Sequence, residues 1–171
     1  MDILEQKHLS LLDEAKRRGQ SDLGTMRLCF EVLSLASAID RSCALRLAEH
    51  NLSEGKFVVL FLLRDLVQGL AAHELATRAG VTRATITGLL DGLERDGFLA
   101  RHSDINDRRK VSVRLTEKGQ TLADQLFDQH SQWIASLFSS LNGQERELLS
   151  SLLQRVWQGL DIAPEQGSDQ S

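Results

Sequence analysis

The residues most suited to chemistry in this 171-residue chain are Asp107, Arg108, Arg109 and Lys110, in the stretch "DINDRRKVSVRLTEKG". Three adjacent cations offer point charges and a planar guanidinium fork, which are tools for holding phosphate rather than for breaking bonds. Asp107 stands two residues before Arg109, close enough to orient that guanidinium by a charge-assisted hydrogen bond. A second group precedes it: Thr82, Arg83, Thr85 and Thr87, with Gly88 close behind. All four polar side chains can hydrogen-bond, and they cluster where a helix should begin.

These groups need elements to carry them. Thr82 has the chemistry of an N-cap, and Gly97 can end the helix that follows. At 100° per residue, Ile86, Leu89, Leu90 and Leu93 fall on one face and should pack inward. The opposite face is centred on Ala84, Gly88, Asp91 and Arg95, so it is slim. A slim, polar helix start can enter the DNA major groove and reach base edges, with Arg83, Thr85 and Thr87 as the readers. A solvated face with a capping threonine would have the same composition, so both readings stand on this helix alone. Residues 98–103 and 110–115, the latter with a strictly alternating run from Val111 to Leu115, read as two short strands with the cations at the tip between them. Such a tip can lay one arginine in the minor groove and its neighbouring cations on phosphates. A charged turn that merely discourages edge pairing is the alternative.

The rest of the chain frames this unit. Residues 3–18 predict an amphipathic helix with Ile3, Leu4, Leu11, Leu12 and Ala15 on its buried face. Asp22 caps a long helix to about Glu49. Ser53 caps an apolar one, "EGKFVVLFLLRDL", which predicts burial. A long helix follows Thr116 to about Leu141. Asn142 with Glu145 forms a capping box for a last helix over 143–159. The tail 161–171, "IAPEQGSDQS" after Asp161, is polar and predicts disorder. The order is therefore mainly α with a small β-hairpin: a winged helix-turn-helix lobe between N- and C-terminal helices. The expected domains are 1–52, 53–118 (the DNA-binding lobe) and 119–160. Leu137, Phe138, Leu148, Leu152, Val156 and Trp157 on the last two helices exceed what one lobe can cover, which suggests a homodimer.

Charge and composition narrow the partners. The net charge is −4. Between Arg78 and Lys118, however, nine Lys/Arg face six Asp/Glu, a local +3 against −7 elsewhere. A basic segment in an acidic chain implies a local anionic partner. No apolar run reaches the roughly 20 residues that span a bilayer, and no signal-peptide pattern opens the chain. A cytoplasmic protein without membrane contact is expected. Two cysteines 14 residues apart, Cys29 and Cys43, and five scattered histidines suggest neither a disulfide framework nor a metal site. No nucleophile–base pair points to an enzyme, and no cofactor is expected.

The segment "LAAHELATRAGVTRATITGLLDGLERDGFLARHSDINDRRKVSVRLTEKG" resembles the MarR family of bacterial transcription regulators. "ELA", "VTRATITGLLDGLERDGFLAR", "DRR" and "LTEKG" stand in the family's order and spacing, over about residues 53–119. The resemblance implies an obligate homodimer, joined through the N- and C-terminal helices of 1–52 and 119–160, with two winged lobes on a pseudopalindromic double-stranded operator. It also implies that Asp107 and Arg109 are the wing's Asp-x-Arg pair, with Arg109 the minor-groove residue and Arg108 and Lys110 beside it on phosphates. By the same resemblance the protein is a repressor released by a small aromatic or phenolic ligand. The pocket named for that ligand comprises Cys29, Phe57, Phe61 and Arg64. Two departures are visible. Ala71 and Ala72 stand where the family often has a capping Ser or Thr. Cys29, in "RLCFEVL", resembles the region of the oxidant-sensing branch, yet the chain has no tyrosine to surround a reactive thiol. Oxidant sensing through Cys29, and a winged-helix protein-interaction module without DNA, therefore remain as rival functions.

Overall fold

The computed structural model describes residues 3–103 and 111–160. The cations and brace at 107–110 and the tail expected to be disordered lie outside the described residues. Seven helices and one hairpin follow in chain order: α1 (Gln6–Arg17), α2 (Leu23–Ala48), α3 (Glu54–Leu63), α4 (Ala72–Ala79), α5 (Arg83–Arg95), β1 (Leu99–Ser103), β2 (Val111–Leu115), α6 (Glu117–Leu137) and α7 (Gly143–Gln158). They form two compact units, Met1–Ala123 and Asp124–Ser171, divided within α6.

Local chemistry sets most helix starts. Asp22 accepts from the Thr25 amide at 3.0 Å, and Ser53 from that of Lys56 at 3.4 Å. Asn142 and Glu145 exchange reciprocal bonds of 3.0 and 2.8 Å. Each satisfies an amide that the first helical turn leaves without a carbonyl.

The core of the first unit is the winged lobe. Val59, Leu60 and Leu63 of α3, Leu75 of α4, Ile86, Leu90 and Leu93 of α5, Leu99 of β1 and Val113 of β2 are all at most 2% exposed. Burying each such side chain contributes about 1.5–3 kcal/mol. β1 and β2 pair antiparallel, Leu99 opposite Leu115 and Ser103 opposite Val111. Leu70, in the α3–α4 connection, adds a bridge to Val113 through bonds of 3.1 and 2.8 Å. The hairpin is thus stitched to the helical part by main chain as well as by side chains.

Three expectations need correction. Of the apolar positions expected on the first helical face, Ala15 of α1 and Leu4 just before it are buried, together with His8, whereas Ile3 and Leu11 are 49% and 52% exposed. His8 holds its place by stacking on Phe30, with ring centroids 4.8 Å apart, and by a 2.8 Å bond between its Nδ1 and Ser34 Oγ. A partnered imidazole thus takes a place on the buried face that apolar counting gave to Leu11. α6 ends at Leu137, not near Leu141. There the hydroxyls of Ser136 and Ser139 donate back to the carbonyls of Trp133 and Ser136, drawing the chain out of the helical ladder. α3 is not buried throughout: Phe61 is 47% exposed.

Candidate nucleic-acid interface

α4 and α5 are joined by a turn whose pivot is Gly80, at φ +64°, a left-handed conformation that disfavours a side chain. The alanines at the start of α4 have no hydroxyl to cap with. Glu74 supplies the missing bond instead, its carboxylate accepting from the Ala71 amide at 2.8 Å. That is one half of a capping box, so α4 begins where a hydroxyl cap would have started it.

Thr82 caps α5, accepting from the Thr85 amide at 3.2 Å. The Thr82 and Thr85 hydroxyls are also 2.9 Å apart, so one of them donates to the other. Thr87 donates to the Arg83 carbonyl at 2.8 Å. The threonines are therefore pre-oriented: Thr87 keeps acceptor capacity only, and the Thr82–Thr85 pair keeps a single donor proton. Arg83, Ala84, Thr85, Thr87 and Gly88 are all exposed. A Cβ built on Gly88 would meet nothing within 4 Å. The stripe Ala84, Gly88, Asp91, Arg95 is exposed as the helical wheel requires, opposite the buried Ile86, Leu90 and Leu93. A depression of about 340 Å³ lies between α4 and α5, lined by Ala72, His73, Arg83, Ile86 and Thr87.

The end of α5 is bolted to the start of α6 by residues of "LTEKG", to which sequence reasoning assigned a place in the family pattern but no structural task. Thr116 caps α6 by accepting from the Gly119 amide at 3.0 Å, while its hydroxyl donates to the Gly97 carbonyl at 2.8 Å. Lys118 donates to the Asp96 carbonyl at 2.7 Å and lies 4.4 Å from the Phe98 ring centroid. Gly119 packs so close to the Phe98 carbonyl that any Cβ there would collide with it. The "LTEKG" string is thus a clasp between α6 and the turn after α5. Lys56 of α3 lies across Gly92 to reach Asp96 at 2.7 Å. Its hydrogen bond, opposed by desolvation, holds the Asp96 carboxyl below the ordinary carboxylate range.

Arg101 is the other omission. From β1 it donates to Asp91 at 2.6 Å and to Glu94 at 2.5 Å, both on α5. The bond to Asp91, followed by a smaller opposing cost of burial and the charges of both carboxylates, pushes the guanidinium pKa up. An acidic pair at i, i+3 was visible in the sequence, but nothing local said which cation would cover it.

The four residues named for a ligand pocket are only partly assembled. Phe57 and Phe61 tilt against each other on α3, with centroids 6.4 Å apart. Arg64, the C-cap of α3, lines a cleft of about 310 Å³ with Leu63, Leu66, Val67, His102 and Arg114. Cys29 is exposed on α2. Burial, reinforced by Glu54 and Asp40, pushes the Cys43 thiol up, away from thiolate chemistry. Among the described residues, no group of His, Cys, Asp or Glu could hold a metal ion, and no helix is long and apolar enough to cross a membrane.

Comparison with known proteins matches this geometry. The MarR family model covers residues 52–111. The HTH-type transcriptional repressor YetL of Bacillus subtilis is 33% identical over 164 residues, spanning 93% of this chain and 98% of that relative. The Staphylococcus aureus MepR–DNA complex superposes with a TM-score of 0.64 at 22% identity, over 74% of this chain and 93% of MepR. Bordetella bronchiseptica BpsR, solved in a study of how 6-hydroxynicotinic acid regulates its DNA binding, is 30% identical at a TM-score of 0.53, over 67% and 79% of the two chains. With a near full-length relative at that identity and the winged helix-turn-helix lobe in place, the chain belongs to the MarR family of transcription regulators.

Proposed function

We propose that the protein is a homodimeric repressor that binds a pseudopalindromic double-stranded operator and leaves it when a small aromatic or phenolic ligand binds. The observation that carries the DNA reading is the exposed, slim start of α5. Thr82, Arg83, Thr85 and Thr87 present polar groups there, and Ala84 and Gly88 leave room for close approach. Arg83, Thr85 and Thr87 read base edges. Asp107 orients Arg109 for the minor groove, and Arg108 and Lys110 hold phosphates, as the local positive balance of the sequence suggests.

The dimer reading rests on α7. None of its residues is buried within the chain, and Leu148, Leu152, Val156 and Trp157 are 60%, 45%, 63% and 66% exposed. A contiguous apolar face of that kind calls for a partner, and a second copy supplies the two-fold symmetry of a palindromic site. The cleft beside Arg64 supports the ligand reading. Leu63, Leu66 and Val67 offer apolar contact, and Arg64, His102 and Arg114, set against the single lining carboxylate of Glu117, favour a carboxylate or phenolate. BpsR, whose DNA binding is regulated by an aromatic acid, lends it weight. Repression is suggested by the similarity to YetL.

The test is a selection of duplexes from random sequence, followed by mobility shift of the winner with benzoates and phenols added. A dyad-symmetric winner released by such a compound is expected. Recovery of no preferred sequence would refute the DNA reading. Sedimentation giving a mass near the 19.1 kDa monomer would refute the dimer.

A further inference from the structure

Asp91 and Glu94 put two carboxylates near the DNA-facing side of α5. Asp91 belongs to the exposed stripe of Ala84, Gly88 and Arg95, and its side chain is 57% exposed even with a guanidinium bonded to it. Glu94 is 37% exposed. At 1.5 Å per residue Asp91 stands about 12 Å along the axis from Arg83. If the start of α5 enters the groove, Asp91 lies within about 12 Å, one major-groove width, of phosphates at the groove edge. A carboxylate there repels them, and a second one a turn away adds to the repulsion.

Arg101 meets both. Its two terminal nitrogens donate separately, at 2.6 Å to Asp91 and 2.5 Å to Glu94. A planar fork can span two acceptors in this way, whereas an ammonium is a single point charge. The three groups together carry −1 rather than −2, and the same two bonds tie the first wing strand to α5.

We propose that Arg101 is a positioning residue for DNA binding, offsetting half of the Asp91 and Glu94 charge on α5 and thereby setting how closely that helix and the wing approach the phosphates. The inference rests on the reading of α5 as the DNA-contacting helix.

The probe is the duplex that the parent protein itself selects from random sequence. Arg101→Gln weakens binding about tenfold, the effect of one unit charge roughly 12 Å from a phosphate at an effective dielectric near 20. The gap to the parent narrows as salt rises, because screening weakens repulsion between exposed charges. Adding Asp91→Asn and Glu94→Gln to Arg101→Gln restores affinity to near the parent. A purely structural bridge would show neither the salt dependence nor the rescue, and that pattern overturns the proposal. So does parent-like binding by Arg101→Gln. Should Arg101→Gln fail to fold by circular dichroism, Asp91→Asn with Glu94→Gln in the parent decides. That variant binds at least as tightly as the parent, and weaker binding overturns the proposal. A parent that selects no duplex instead removes the DNA reading beneath it.

Discussion

Replacing Gly88 with alanine separates two quantities that are often confounded, the stability of the fold and its affinity for DNA. Gly88 lies inside α5 and is exposed, and a Cβ there would touch nothing within 4 Å in the free chain. Glycine in a helix interior costs about 1 kcal/mol relative to alanine, so Gly88→Ala stabilises the free protein by about that much. For a chain of this size the gain raises the melting temperature by roughly 2–4 °C. On DNA the sign reverses. If the Ala84–Gly88 stripe sits against the groove wall, an added methyl overpacks a close contact at a cost of about 1–3 kcal/mol. At 1.4 kcal/mol per decade that is roughly five- to 150-fold in affinity per subunit. Thermal melting and fluorescence anisotropy on the selected duplex measure the two effects separately. A higher melting temperature with unchanged affinity would show that nothing approaches this face, and the case for α5 as the reading helix would fall. A lower melting temperature would contradict the open space around Gly88.

Three further outcomes are expected. Asp107→Ala weakens operator binding even though it removes a negative charge, because Arg109 loses its brace; tighter binding in anisotropy titrations would leave the wing cations as bulk electrostatics. The Asp96 carboxyl lies below its ordinary value, chiefly because Lys56 donates to it. Its contribution is therefore complete above the unfolded value of about 4 and is lost as pH falls through the lower folded value. Melting followed from about pH 6 to about pH 3 should show Asp96→Asn less acid-sensitive than the parent; an identical acid slope would rule the linkage out. Cys29→Ser keeps its DNA binding and ligand response. Loss in that variant of a peroxide-induced release shown by the parent would establish the thiol switch that the missing tyrosines argue against.

The sequence alone determined what depends on neighbours three or four residues apart. Asp22, Ser53, Thr82 and Asn142 cap the helices they were expected to cap, because the accepting oxygen and the donating amide lie within one turn. The buried stripe Ile86, Leu90, Leu93 and its slim opposite follow from the 3.6-residue period, and the alternation of Val111 to Leu115 marked β2. The wing tip was named from composition, and its residues lie outside the described structure. Tertiary structure decided the contacts whose partners are distant in the chain or compete for one place. His8 displaces Leu11 from the buried face of α1 because a phenyl ring and a serine hydroxyl wait on α2. Lys56 finds Asp96 forty residues away because Gly92 leaves a path for its stem. Gly119 must be glycine only because the Phe98 carbonyl folds back against it. Arg101 could have faced solvent like any strand cation; the crossing of β1 over α5 delivers it to Asp91 and Glu94. Helical period and capping are properties of a few consecutive residues, whereas the cation that covers Asp91 and Glu94 depends on which strand the fold lays across α5.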